Sequence, residues 1–325
     1  MNRFFKLVFN EEMKIYIRKS TWVMYAILAA IIIGSGLISY FFGDLGEEYT
    51  GDDWREVLEE ENEEYMQDNE EWIQEMDDDN GFVVEMNNSY IAKNNYYLEN
   101  DIQPKPYDAW EYVLENVFLL SVVSLFTIIV AAGIVAHEFR WGTIKLLLTR
   151  PISRAQILLS KYVSVLIFAL FTLLFVVLFS WIVGAILFGI NGINPSIVIE
   201  QNDEFAQVSI LSEIMSGYGY KLINLIMMAT FAFMISSIFR NSTLAIGTAI
   251  FLMFAGNSIV GFFSDHDWAK YILFANTDLK QYANDGSPII EGMTLGFSIT
   301  MLVVYYAIFL VLSWVVFTRR DVAGQ

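Results

Sequence analysis

The sequence has 325 residues, of which 55% are hydrophobic and 17% are charged, and its net charge is −18 at pH 7. A mean hydropathy of +0.46 with so few charges is typical of membrane proteins and excludes an ordinary soluble globular domain. Because the chain has no cysteine, disulfides, cysteine zinc sites and thiol chemistry are excluded as well.

The N-terminal segment, residues 1–20, has the spacing of an amphipathic helix. Its bulky apolar side chains recur at helical intervals, and its basic side chains lie on other faces. The apolar set is Phe5, Val8, Phe9, Met13 and Tyr16, and the basic set includes Lys6, Lys14 and Arg18. We predict that this helix lies in the membrane interface before the first span.

Six stretches are apolar over the roughly 20 residues that a helix needs to cross a bilayer. They are 21–43, 113–136, 161–190, 221–239, 240–264 and 292–318. Beyond their first few residues, they contain no Asp, Glu, Lys, Arg or His. The predicted fold class is therefore an all-α polytopic membrane protein with six transmembrane helices.

The first connection, 44–112, is strongly acidic. Between Asp44 and Glu111 it holds 23 acidic residues and only three basic ones, so the rest of the chain is slightly positive. Apolar residues recur every three to four positions from Trp54 to Met76, and a second run follows around Tyr90, which together predict a helical hairpin. No calcium-loop spacing is present, so the carboxylates indicate a solvated face.

Lysine and arginine are concentrated in the termini and in the connection 137–160, whereas 44–112, 191–220 and 265–291 are acidic. By the positive-inside rule, both termini are predicted to be cytoplasmic and the acidic domain extracytoplasmic. The connection 265–291 also carries an apolar patch, Trp268 to Phe274, which predicts a re-entrant pair of short helices.

The connection 137–160 has the most specific pattern outside the spans. Gly142 interrupts the helix that leaves the membrane, Thr143 has the chemistry to cap a new helix, and Pro151 ends it before Ser153 caps the next one. The short helix between them is apolar, and exposed apolar surface marks a docking site.

Seven residues of this connection and its flanks carry a family resemblance: Glu138, Gly142, Thr143, Pro151, Ser153, Arg154 and Lys161. With this spacing, the six spans and the C-terminal FTRRDVAG, nearly the whole chain resembles the permease subunit of type-2 ABC exporters of the bacitracin-export and sodium-export-like group. Lys145 stands where such families often have an acidic residue.

The resemblance implies that the connection is a coupling helix that docks on an ATPase subunit. The implied docking residues are Glu138, Phe139, Arg140, Gly142, Thr143, Ile144, Lys145 and Leu147. It further implies a bacterial plasma membrane location, two ATPase partners that hold ATP and magnesium, and a second permease copy, identical or related. Small residues in the spans, among them Gly133 and Gly247, would let two copies approach closely.

Motifs for catalysis in this chain are missing. His137-Glu138 lacks the second histidine of a zinc-protease helix, because Trp141 holds that position. His266 stands alone, and no phosphate-binding loop occurs. We therefore expect no catalytic residue, no metal and no cofactor bound by this chain, and no nucleic-acid partner.

Within the spans only uncharged polar residues remain, among them Asn224, Thr230 and Asn257. They are candidates for lining a pathway, although helix–helix hydrogen bonds are the commoner role. The absence of intramembrane charge disfavours an ion-coupled carrier. The expected function is a permease for an amphipathic or hydrophobic substrate, such as a peptide antibiotic or lipid-like compound. The alternatives are a sensory receptor that binds a peptide through the acidic loop, or a sodium or other ion exporter permease.

Overall fold

In the computed structural model, the described residues are 2–43, 45–74, 81–140, 152–193, 195–201, 204–239, 241–285 and 288–319, and they are mostly helical. The helices are α1 (Asn2–Tyr16), α2 (Lys19–Phe42), α3 (Trp54–Gln74), α4 (Gly81–Glu99), α5 (Ala109–Glu115), α6 (Leu120–Arg140), α7 (Arg154–Leu187), α8 (Ile210–Phe239), α9 (Ser242–Phe263) and α10 (Leu295–Arg319).

Six helical segments of the described chain are long and apolar enough to cross a membrane, which confirms the predicted fold class. They are Lys19–Phe42, Ala109–Phe139, Arg154–Leu187, Ile210–Phe239, Ser242–Phe263 and Leu295–Arg319. The second consists of α5, a 3-10 turn over Asn116–Leu119 and α6. The fourth begins at Ile210, about three turns before the predicted start at residue 221, because the residues before Lys221 continue the helix.

Capping side chains set three of the helix starts. The Ser153 hydroxyl accepts a hydrogen bond from the Gln156 backbone N–H (3.2 Å), as the sequence predicted. The Asn241 side chain accepts from two backbone N–H groups at the start of α9. At α10, Gly292 has a positive φ of 80° that no helix accommodates, so the helix begins after it, with Thr294 as the cap.

The amphipathic helix α1 is present, but one of its predicted apolar-face residues points elsewhere. Phe5, Phe9 and Met13 are exposed, as a membrane-contacting stripe would be, whereas Val8 is buried together with Ile15. The prediction of a single apolar face was wrong at Val8, because a helix next to other helices has an inward face as well as a lipid face.

The chain divides into two compact units, one formed from Met1–Ile31, Asn116–Phe179 and Met215–Gln325, and the other from Ile32–Glu115 and Ser180–Ile214. A hydrophobic core of the first unit joins α6, α8, α9, α10 and the segment before α10. Its buried members are Ala132, Met227, Met234, Ile235, Ala245, Leu273, Leu279, Leu302 and Phe309.

In the second unit, α3 and α4 pack against each other, as the predicted hairpin requires. The Tyr65 and Tyr90 rings stack with their centroids 5.4 Å apart. Buried asparagines recur at seven-residue intervals on both helices and bond through their side-chain amides; they are Asn62, Asn69, Asn87 and Asn94. Polar residues at such core positions specify how two helices align at a cost in stability.

Two other connections differ from expectation. Within 191–220, β1 (Ser196–Gln201) and β2 (Glu204–Ser209) form an antiparallel hairpin in which Ser196 pairs with Ser209, a small addition that the hydropathy pattern did not indicate. Within 265–291, the structure has 3-10 turns at Asp267–Tyr271, Leu273–Asn276 and Leu279–Asp285, instead of a pair of α-helices. Re-entry of this segment into the bilayer stays a prediction.

Candidate functional site

Four charged side chains of the first unit form a closed ring of ion pairs, here called the ion-pair ring: Glu11, Lys14, Glu138 and Lys161. The Lys161 Nζ lies 2.7 Å from Glu11 Oε2 and 2.9 Å from Glu138 Oε1. The Lys14 Nζ lies 2.9 Å from Glu11 Oε1 and 2.8 Å from Glu138 Oε1. Each lysine therefore binds both carboxylates, and the formal charges cancel.

Burial differs around the ion-pair ring. The side chain of Lys161 is 1% exposed, and Glu11 and Glu138 are nearly as enclosed, whereas that of Lys14 is 38% exposed. Burial by itself would lower the pKa of Lys14, but the hydrogen bonds and negative charges of Glu138 and Glu11 outweigh it and raise that pKa. Lys161 is thus the most enclosed member of the ion-pair ring, and both of its carboxylate partners are enclosed with it.

Three helices bring these groups together. Glu11 and Lys14 are three residues apart on α1, which places them on one helical face. Glu138 lies in the last turn of α6, and Lys161 lies two turns into α7. Residues 141–151, between α6 and α7, lie outside the described structure, but the helices on either side of them are tied by the Glu138–Lys161 pair.

Further contacts surround the same helix ends. Arg18 Nη1 lies 3.1 Å from His137 Nδ1, which ties the start of α2 to the end of α6. The Phe139 and Phe317 rings meet edge to face with their centroids 6.3 Å apart. Arg154 donates a hydrogen bond to the Thr318 carbonyl (3.2 Å), so the end of α10 contacts both α6 and the first residue of α7. The ends of α6, α7 and α10 and the start of α2 thus form one contact network.

A third carboxyl, Glu12, adjoins the ion-pair ring on α1. Its oxygens are buried beside Ser164, whose hydroxyl donates to the Val8 carbonyl (3.2 Å). Burial raises the pKa of Glu12 to about 7, and the charge of Glu11 adds to this increase. We therefore expect the protonation of Glu12 to change near neutral pH.

The predicted docking residues fall into two groups. Gly142, Thr143, Ile144, Lys145 and Leu147, with Pro151 of the family motif, lie outside the described residues, as does the side chain of Arg140. Among the others, Glu138 and Lys161 are buried in the ion-pair ring. Docking through Glu138 stays a prediction, and in the described structure its carboxylate binds two lysines of its own chain.

The predicted pathway residues do not converge in the described chain. Thr230 is fully buried, donates to the Ile226 carbonyl and lies 2.7 Å from the Tyr162 hydroxyl, so it joins α7 to α8. Asn224 is partly buried, and Asn257 is exposed on α9. Thr230 therefore has the helix–helix role, and Asn257 is the one of the three that is open to another molecule.

Glu11 and Lys14 were not identified from the sequence as members of a site. The sequence does hold one indication of the site: Glu11 lies on the same helical face as the apolar residues Val8 and Ile15. A carboxylate on the inward face of an amphipathic helix requires a buried cation as partner. The chain has 19 Lys and Arg residues, and only the tertiary structure shows which of them lies beside Glu11.

The helices and this site define the class of protein: a polytopic helical membrane protein, located in a membrane. Residues 76–323 match DUF2705, a family described as proteins of unknown function, and the chain belongs to that family. It is 40% identical over 322 residues to the uncharacterized protein YhcI of Bacillus subtilis (strain 168), covering 98% of this chain and 99% of the relative. It is 31% identical over 198 residues to the uncharacterized membrane protein YdbK of the same organism, covering 60% and 76%.

Proposed function

We propose that this chain is the permease subunit of an ATP-driven exporter, with ATP hydrolysed by a separate subunit. The observation that supports this best is the ion-pair ring, because it joins the two helices that flank residues 141–151. A segment that receives force from a partner needs rigid attachment to the spans that must move. The pair between Glu138 and Lys161 provides such an attachment at the base of the segment.

The ion-pair ring also assigns a role to α1. Glu11 and Lys14 bind the same partners, so α1 is coupled to α6 and α7. If an ATPase docks on 141–151, its displacement reaches α6, α7 and the interfacial helix together. Breaking the ion-pair ring would then leave docking possible and reduce the transmission of movement.

The proposed assembly contains two ATPase subunits, which bind ATP and magnesium, and two permease copies in a bacterial plasma membrane with both termini cytoplasmic. The packing of the described residues favours one helix over another as the contact with a second copy. Gly133 is buried within the described chain, so it is not open to a second copy. Gly247 has open space around it, which makes α9 the better candidate for the permease contact.

The proposed substrate is amphipathic or hydrophobic. The spans expose aromatic and aliphatic side chains, and their charged residues lie within about three turns of their ends, so no charge at mid-span would coordinate a coupled ion. Such walls suit a lipid-like compound or an amphipathic peptide better than sodium. The acidic hairpin of α3 and α4 would face the exterior, where its negative charge would attract cationic amphipathic peptides.

The test is co-purification of the membrane complex with any ATPase subunit that it holds, followed by ATPase and transport assays in vesicles. We expect Gly142→Leu to abolish ATPase binding, because a branched residue there misplaces the docking helix. The control is Gly296→Leu, at an exposed position of α10 with open space around it. Full ATPase binding and transport by Gly142→Leu would refute the docking assignment. Absence of any ATPase in the purified complex, with a peptide response that requires α3 and α4, would support the receptor alternative.

A further inference from the structure

A groove of about 410 Å³ lies in the first unit between α8, α9, α10 and the turns that precede α10. Its lining is aromatic and aliphatic and contains no charged residue. The lining residues are Phe231, Leu252, Trp268, Tyr271, Ile272, Leu273, Phe274, Tyr305 and Phe309. Neither the ion-pair ring nor the segment 141–151 contributes to it.

The walls of the groove are held by contacts of their own. The Phe231 and Phe309 rings lie 5.3 Å apart between centroids, and the Tyr305 hydroxyl donates to the Tyr271 carbonyl at 2.8 Å. The Phe274 ring lies directly against Gly256, where a Cβ would approach it to 2.4 Å. The groove is therefore formed before any ligand arrives, as is usual for binding sites.

Water is a poor occupant of this groove. An ordered water needs about two to four polar partners. The hydroxyl of Tyr305 already has a partner in the Tyr271 carbonyl, and most of the remaining lining is hydrocarbon. An apolar space whose three helical walls are candidate membrane spans is instead in reach of the hydrocarbon of the bilayer.

The size and the ends of the groove fit one acyl chain. A water-sized group takes roughly 30 Å³, so the groove holds on the order of a dozen such groups. This number is close to the number of methylene groups in one acyl chain. Phe231, Leu252 and Phe309 belong to the spans, whereas Trp268 and Tyr271, each about half exposed, lie in the connection beyond the end of α9. Tryptophan and tyrosine in this arrangement are typical of the level of lipid headgroups.

Lys270 lies at the same end of the groove as Trp268 and Tyr271 and carries a positive charge. The Lys270 Nζ lies 5.7 Å from the centre of the Tyr271 ring. Basic groups beside an intramembrane groove attract lipid phosphates. We infer that the groove binds the acyl chain of a membrane phospholipid, with the lipid phosphate near Lys270. This site is independent of the proposed ATPase partnership, since it uses none of the residues that flank 141–151.

The test uses the full chain in vesicles of phosphatidylethanolamine and phosphatidylglycerol that contain a trace of phosphatidylglycerol with a photoactivatable acyl chain. Labelled peptides are mapped by mass spectrometry. In the wild type we expect labelling to concentrate on 268–274 and on the peptide with Tyr305. Leu252→Trp, which fills the groove, should reduce that labelling about tenfold, equivalent to lost burial of about two methylene groups. Phe251→Trp, at an exposed neighbouring position on α9, should leave it unchanged.

Two further variants make the outcome decisive. Leu252→Ala enlarges the groove and should keep or increase labelling. If Leu252→Trp folds poorly, this second variant still shows whether labelling depends on the free volume of the groove. Lys270→Gln should lower the preference for phosphatidylglycerol over phosphatidylethanolamine while labelling persists. The inference is overturned if labelling spreads evenly over exposed span faces, or if Leu252→Trp and Phe251→Trp label alike. It is also overturned if a cysteine at Leu252 crosslinks quantitatively to a second copy, because the groove would then be a protein contact.

Discussion

Replacing Lys161 by methionine tests whether the ion-pair ring holds the spans together. Methionine keeps most of the side-chain length and removes the cation that lies 2.7 Å from Glu11 and 2.9 Å from Glu138. The Lys161 side chain is 1% exposed, so the loss leaves buried carboxylates without their most enclosed partner. Breaking a buried pair in this way costs about 3–5 kcal/mol.

Lys14→Met provides a comparison inside the same ion-pair ring. Its side chain is 38% exposed, so water compensates for much of the lost interaction, and the expected cost is about 0.2–1 kcal/mol. Lys6→Met, at an exposed position of α1, is the control for removing a positive charge from the N-terminal helix. The expected order of destabilisation is Lys161 well above Lys14, with Lys6 near zero.

The assay is denaturant unfolding of the purified chain in detergent, combined with hydrogen exchange of α1 and of the end of α6. Lys161→Met should accelerate exchange in both elements, because α1 loses an anchor to α7. Adding Glu138→Gln to Lys161→Met should recover part of the loss by removing the unpaired carboxylate. A Lys161→Met protein within about 0.5 kcal/mol of Lys6→Met would refute the reasoning that this ion-pair ring anchors the helices.

Two more predictions come from the structure, and a third tests the orientation predicted from the sequence. Because the pKa of Glu12 is raised to about 7 from 4.5, its contribution to the stability of α1 should be complete below pH 4.5 and lost as the pH rises through 7. Hydrogen exchange of α1 against pH should show this slope, and Glu12→Gln should abolish it. Asn69→Leu should destabilise the α3–α4 hairpin by about 1–3 kcal/mol, because the Asn87 side chain donates to the Asn69 side-chain oxygen at 2.9 Å and would lose its acceptor. The double replacement of Asn69 and Asn87 by leucine removes both partners and should be neutral or stabilising. Hydrogen exchange of α3 and α4 measures both effects. In intact cells an impermeant thiol reagent should label a cysteine at Trp72 and not one at Thr143; the reverse pattern would invert the predicted orientation.

Much of the fold followed from local sequence. Hydropathy is a property of each segment by itself, and the length that crosses a bilayer is fixed, so all six apolar helices were identified. The hairpin of α3 and α4 was predicted because aromatic and aliphatic residues recur at helical spacing within a polar segment. Ser153 was identified as a cap because its side chain satisfies a backbone donor a few residues away.

The candidate site was predicted only in part. Glu138 was singled out as a docking residue and Lys161 as a residue of the family motif, and the structure brings both into a buried ion-pair ring with Glu11 and Lys14 that the sequence did not predict. Glu11 and Lys161 are 150 residues apart. No local pattern specifies such a pairing, because any exposed lysine would serve a solvated glutamate equally well.

What the sequence by itself determined is therefore the set of membrane helices, the acidic hairpin and the Ser153 helix cap, all of which depend on interactions within a few turns of chain. The tertiary structure decided which face of α1 turns inward, which lysine neutralises Glu11, and where an apolar groove remains between α8, α9 and α10. These outcomes depend on burial, which only packing creates. Where packing excludes water, a buried carboxylate requires a cation beside it, so one pairing is selected among many possible ones. Packing also leaves some apolar surface that a membrane molecule can cover.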